Sequence, residues 1–99
     1  MNPYYNPKEM GLEIVTSIDY SDGNYIFDYR VVWVEVATGN LFTARDSGCS
    51  CPTPFEDFTS IDTLDKYYYS DIRMEAVDKG RRNGYDGGDI SKFIESLPR

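Results

Sequence analysis

The sequence predicts an α+β fold: a three-stranded antiparallel meander followed by two or three short helices packed on one of its faces. Three observations carry that expectation. Side-chain character alternates with a period of two through the first half of the chain, turn signals separate the alternating segments, and the period becomes helical after residue 59. The first predicted strand spans residues 12–19, with Leu12, Ile14, Thr16 and Ile18 on the even positions. Glu13, Ser17 and Asp19 take the other face, and Val15 is the exception. Asp22-Gly23, between Ser21 and Asn24, is a hairpin signal. Residues 25–36 form the second predicted strand, in which Tyr25, Phe27, Tyr29, Val31 and Trp33 share a face. The opposite face is polar at Asp28 and Arg30 and apolar at Val32, Val34 and Val36, the pattern of a central strand covered on both sides towards its C-terminal end. Thr38-Gly39-Asn40 supplies a second turn, and residues 41–45 make a third strand.

After a loop at 46–58, Thr59 and Asp62 resemble a capping box, and Ile61, Leu64, Tyr68, Ile72 and Ala76 keep a helical spacing. Ser70 followed by Asp71 offers a new N-cap, and the tyrosines at 67–69 have only moderate helix propensity. The favoured reading is therefore two helices, 60–68 and 70–79, with one continuous helix left open. Gly80, Asn83-Gly84 and Gly87-Gly88 mark a loop. Asp89 caps a last helix at 89–96, whose Ile90, Phe93 and Ile94, with Leu97 just beyond, face inward.

Composition narrows the function classes. The chain has 99 residues, 17 acidic against 10 basic, no histidine and a formal net charge of -7. A length of this order fits one domain, residues 1–99, with residues 1–9 as an arm stiffened by Pro3 and Pro7. Without histidine, Ser-His and Cys-His catalytic pairs are impossible and the commonest metal ligand is missing. The negative charge opposes nucleic-acid binding. The longest apolar run, Val31-Val32-Trp33-Val34, is far too short to cross a membrane, and the N-terminus carries no secretory signal. A cytoplasmic protein with reduced cysteines is expected.

The least ordinary stretch is Asp46-Ser47-Gly48-Cys49-Ser50-Cys51-Pro52-Thr53-Pro54-Phe55-Glu56-Asp57-Phe58. Its prolines force an extended path on Cys51 and Thr53, and Phe55 and Phe58 anchor its far end in the core. Cys49 and Cys51 admit a structural reading, as small side chains shaping a turn, which is favoured. The alternative is a metal- or thiol-dependent module, in which a dimer pools its cysteines to complete a ligand set. No cofactor is called for. A phosphate cradle at Gly84–Asp89 lacks the Lys-Ser/Thr pair, and the acidic row Asp71, Glu75, Asp78 is interrupted by Arg73 and Lys79, as on a solvated helix face. Nine tyrosines exceed what a small core needs, and tyrosine is enriched at interfaces. Tyr67, Tyr68 and Tyr69 project in different directions from a helix, so at least one faces solvent. The candidate protein-binding residues are these tyrosines with Asp46, Ser47, Ser50, Pro52, Glu56 and Asp57.

The Asp46–Phe58 segment, with Val32-Trp33 and the Thr38-Gly39 turn before it, resembles a family of small proteins encoded by tailed phages of actinobacteria. The likeness spans roughly residues 25–66. It implies an accessory protein made in the cytoplasm of an infected cell, and it transfers no functional residues. The expectation is a non-enzymatic module, monomer or homodimer, that binds a host or phage protein.

Overall fold

The computed structural model describes residues 3–21, 26–49, 54–55, 57–83 and 87–99. The alternating segments become β1 (Leu12–Asp19), β2 (Ile26–Glu35) and β3 (Leu41–Cys49), joined antiparallel in sequence order, and β4 (Asp65–Lys66) adds a short edge beside β3. Two helices follow, α1 (Tyr69–Asn83) and α2 (Gly87–Ser96). The fold class is α+β as expected, with four strands in the sheet instead of three. Asp22, Gly23 and Tyr25, which carried the hairpin signal and the start of the second predicted strand, lie outside the described residues.

Several boundaries differ from the sequence reading: α2 begins at Gly87, taking in the glycines read as loop, α1 outlasts residue 79, and two further differences have a clear physical reason. The third strand runs to Cys49 instead of ending at residue 45, because Asp46, Ser47, Gly48 and Cys49 continue the ladder against Tyr29, Asp28, Phe27 and Ile26. Residues 60–68 hold no α-helix; a single 3-10 turn, Ile61–Thr63, leads into β4. The helical spacing there is an accident of two layers. Ile61 and Leu64 pack on the Trp33 side of the sheet, whereas Tyr67, Ile72 and Ala76 pack on the opposite side. Between them the chain rounds the sheet edge as β4, so one periodicity serves two faces. The break foreseen near residue 69 is where α1 begins, and α1 continues through Gly80 to Asn83.

β1 carries a similar crossing within a strand. Ile14 pairs with Trp33 and Thr16 with Val32, so the register shifts at Val15. Such a bulge reverses which face the following side chains take. Accordingly Leu12 and Ile14 pack with Trp33, whereas Ile18 packs with the helices. Val15, the exception in the sequence alternation, is the bulged residue and is exposed.

The sheet is thus covered on both faces. On one, α1 and α2 bury Val32 and Tyr20 under Ile72, Ala76, Ile90, Phe93 and Leu97. On the other, Trp33, with no exposed surface, packs among Leu12, Val31, Ala44 and Phe55. The lid on this second face is the N-terminal arm and the segment after residue 54. The Trp33 Nε1–H donates to the Pro3 carbonyl at 2.8 Å, and the Tyr4 ring stacks on Tyr29 at 5.2 Å. Gly11, at φ 72, joins the arm's 3-10 turn (Pro7–Met10) to β1, a left-handed conformation that glycine adopts without steric cost. Phe55 also has a left-handed backbone (φ 61), a cost of about 1–2 kcal/mol for a residue with a Cβ. It is held there by complete burial, by edge-on packing against Trp33 and Phe58, and by its N–H donating to Asp46 Oδ2 at 2.8 Å.

Replacing Trp33 by Phe removes the indole N–H that donates to the Pro3 carbonyl and leaves a void beside Phe55. Urea unfolding of Trp33→Phe should show a loss of about 2–4 kcal/mol, whereas Val36→Ala, at a position 66% exposed, should stay within about 0.5 kcal/mol of the parent.

Candidate functional site

Two polar arrangements stand out, at different places on the sheet. The first follows from the register of β2 on β3, which sets Arg30 directly opposite Arg45 on the helix-covered face. Like charges placed so repel, and the fold answers with carboxylates from two elements. Glu75 of α1 takes Arg30 in a two-point contact, Nη2 to Oε2 at 2.5 Å and Nε to Oε1 at 2.9 Å. Asp28 takes Arg45 through Nε and Nη2, both at 2.7 Å, and Lys79 stands 3.8 Å from the same carboxylate. Arg45 and Lys79 also lie over the Tyr20 ring, 5.8 and 5.9 Å from its centre. The Arg45 hydrogen bonds hold the Asp28 carboxyl below the usual carboxylate range, against the opposing pull of burial. Burial, followed by the charge and hydrogen bond of Glu75, pushes the Tyr20 phenol well above its ordinary value. The cluster fastens α1 to the sheet. Glu75 was expected on a solvated helix face and instead points inward, 20% exposed, onto Arg30. The sequence signals for it were Asp28 and Arg30 on an otherwise apolar strand, and the i, i+4 pair Glu75 and Lys79.

The second arrangement lies where β3 begins. An open groove of about 430 Å³ is bordered by Gly39, Asn40, Leu41, Phe42, Lys66 and Tyr67. Tyr68 emerges beside it, 54% exposed, with the Lys66 ammonium 5.8 Å from its ring centre. Its neighbours do otherwise. Tyr67 is buried and its hydroxyl donates to the Pro98 carbonyl at 2.6 Å, while Tyr69 is half-buried under the Arg99 guanidinium. The arrangement of the three tyrosines therefore leaves one, Tyr68, fully at the surface.

The remaining candidate residues do not gather around Tyr68. Asp46 spends its carboxylate on the Phe55 N–H, Ser47 is exposed on β3, and Asp57 is exposed. Cys49 ends β3 with its backbone paired to Ile26. Ser50, Cys51, Pro52 and Glu56 lie outside the described residues. Because β3 runs from Leu41 to Cys49, the tyrosine groove and the start of the cysteine loop are separated by roughly 26 Å of strand. Among the described residues, no three His, Cys, Asp or Glu side chains converge as a metal site would require. Leu41, Phe42 and Lys66 were not singled out in the sequence; β4, two residues long, had no signal of its own.

Residues 1–96 match the model of a family described as a domain of unknown function, DUF7574. The chain belongs to that family. No curated protein and no solved structure matches it. Among the described residues of this DUF7574 member, no helix is long and apolar enough to cross a membrane.

Glu75→Gln keeps the shape of α1 but removes the charge that separates Arg30 from Arg45, so it should lower stability by roughly 1–3 kcal/mol in urea unfolding. The pH dependence has a defined sign. Asp28 has a depressed folded-state pKa, so its contribution is complete above the ordinary carboxylate range and disappears as pH falls below about 4. Tyr20 has a raised one, so its contribution is complete below about pH 10 and is lost above it. Unfolding curves collected across pH should show Asp28→Asn flattening the acid limb and Tyr20→Phe flattening the alkaline limb.

Proposed function

We propose that the protein is a non-enzymatic binding module that docks a host or phage protein through the pole formed by Tyr68, Lys66 and the groove beside them. The observation that carries this reading is Tyr68 itself: a large aromatic residue 54% exposed next to an open groove of about 430 Å³ with Leu41 and Phe42 in its walls. Tyrosine contributes contact area at low entropic cost, and the Lys66 ammonium 5.8 Å from the Tyr68 ring centre adds a cation to the same surface. The likeness of residues 25–66 to small proteins of actinobacterial tailed phages supports an accessory role in the cytoplasm of the infected host. Asp57 and Ser47, exposed nearer the other end of β3, enter this reading as a second contact region.

A photo-crosslinking amino acid placed at Tyr68 in the expressing host should give a discrete adduct, and the same group at Val15 on the bulged edge should not. The adduct's partner, purified, should bind the parent chain at least tenfold more tightly than Tyr68→Ala, a difference of about 1.4 kcal/mol or more. Equal affinity for the two chains removes Tyr68 from the interface and this reading with it.

A further inference from the structure

β1 is the outer strand of the sheet on the side away from β4, and among the described residues it pairs with β2 alone. The register decides which main-chain groups it leaves over. The Tyr20 N–H donates to the Asp28 carbonyl at 2.8 Å, and Ile18 opposite Arg30 and Thr16 opposite Val32 continue the same register back to the bulge. Hydrogen-bonded and open pairs alternate along an antiparallel ladder. Tyr20, Ile18 and Thr16 therefore turn their N–H and C=O groups to β2, whereas Ser17 and Asp19 turn theirs outward. Among the described residues, no main-chain group reaches Ser17 or Asp19 from that side.

Those outward groups border an open groove of about 440 Å³. Its floor and one wall are residues 16–19, and its other wall is a single stripe of α2, Asp89, Lys92, Phe93 and Ser96, spaced i, i+3, i+4 and i+7. One end is closed by hydroxyls: Ser96 Oγ donates to the Phe93 carbonyl at 2.6 Å and so accepts from the Thr16 hydroxyl at 2.5 Å. Because β1 and α2 run in opposite directions here, Asp19 and Asp89, both exposed, border the other end. The Asp19 Oδ1 accepts the Ser21 and Asp28 N–H groups, which holds its charge in place. An open strand edge beside a helix is the setting in which an extended peptide adds as a further strand, with affinity from main-chain hydrogen bonds and specificity from alternate side chains. The bulge ends regular pairing on the other side, and Val15 lies outside the groove, so the edge accommodates about four residues, ~13 Å of strand. A second copy of this chain, also at a net charge of -7, is a like-charged occupant; a cationic segment complements Asp19 and Asp89.

We propose that the groove between β1 and α2 takes an extended basic segment of a partner protein as an added strand. The segment's main chain pairs with Ser17 and Asp19, one aliphatic side chain lies beside Ile18 on the α2 side, and the adjoining Lys or Arg lies beside Asp19, within the field of Asp89. The groove is at the opposite edge of the sheet from β4, so it stands apart from the docking pole of Tyr68 and Lys66.

The test is a titration of the full-length chain with the blocked peptide Lys-Val-Lys-Val-Lys at low salt, followed by amide NMR. The Ser17 and Asp19 amides should shift saturably with a dissociation constant below about 1 mM, and at saturation they should exchange with solvent roughly tenfold more slowly or less. The peptide Glu-Val-Glu-Val-Glu should bind at least about tenfold more weakly. Ser17→Pro removes an outward N–H without touching the ladder to β2, and it should weaken the lysine peptide by about tenfold or more. Should that variant lose cooperative unfolding, Asp89→Lys, at an exposed helix position, takes its place with the same expected loss. Tyr68→Ala should bind the lysine peptide as the parent does, which separates this site from the docking pole. No saturable shift at Ser17 and Asp19 up to about 1 mM, equal binding of the two peptides, or shifts centred on another surface overturns the proposal. Concentration-dependent protection of the Ser17 amide in the chain alone assigns the groove to a second copy, and overturns it as well.

Discussion

A buried indole N–H has to find an acceptor, and Trp33 finds it in the carbonyl of Pro3, thirty positions away in sequence. Much of the second face depends on that bond. Trp33 stands at the centre of the ladder, between Ile14 and Phe42, and has no exposed surface, covered by the arm together with Phe55, Leu12 and Leu64. Around it the rings of Tyr4, Tyr29, Phe55 and Phe58 contact one another edge-on, tilted or stacked at 5.2–5.8 Å. Aromatic residues suit this position because they cover a large apolar area with few rotatable bonds. An antiparallel sheet usually leaves one face to water. Here a few residues at the very start of the chain and the segment following the cysteine loop replace the second helical layer.

The two faces are stabilised by different physics. The Trp33 side is apolar contact closed by one hydrogen bond. On the helix side, α2 and the first half of α1 contribute Ile72, Ala76, Ile90 and Phe93, but the contact of α1 with β2 and β3 turns ionic at Glu75 and Lys79. The groups there are only partly exposed, so solvent screens them less than it would surface pairs. Asp28, held below the usual carboxylate range, and Tyr20, raised above its ordinary value, both belong to this small patch, so it contributes to the pH dependence of stability on the acid and the alkaline side.

The first three strands and the last helix were legible because local alternation or helical spacing marks each of them, whatever layer it serves. Leu12 to Asp19 came with its observed bounds, Tyr29, Val31 and Trp33 share the face that their spacing implies, and Ile90, Phe93 and Leu97 are buried together. Reading failed where the chain changes layer. The bulge at Val15 and the turn around β4 both move successive side chains from one face to the other, and local periodicity holds no information about which face a residue serves. The candidate surface was legible in residue type, since Tyr68 is exposed, but not in assembly. Its groove is made by Leu41, Phe42 and Lys66, which meet through a two-residue strand pairing. The same limit hid the Arg30–Glu75 contact, whose partners are 45 residues apart.

The pairing of Arg30 with Arg45 across β2 and β3 also bears on the order in which the molecule assembles. A hairpin of these two strands alone would bring two guanidinium groups face to face, with Asp28 the sole acid supplied by its own sequence at that patch. The second, Glu75, arrives only when α1 is in place. The central hairpin alone therefore leaves one of the two arginines without its carboxylate, and α1, which begins twenty residues after β3 ends, supplies it. Unfolding inherits the same coupling: α1 cannot lift away without setting the two arginines against each other, so the sheet and helix should be lost in one step.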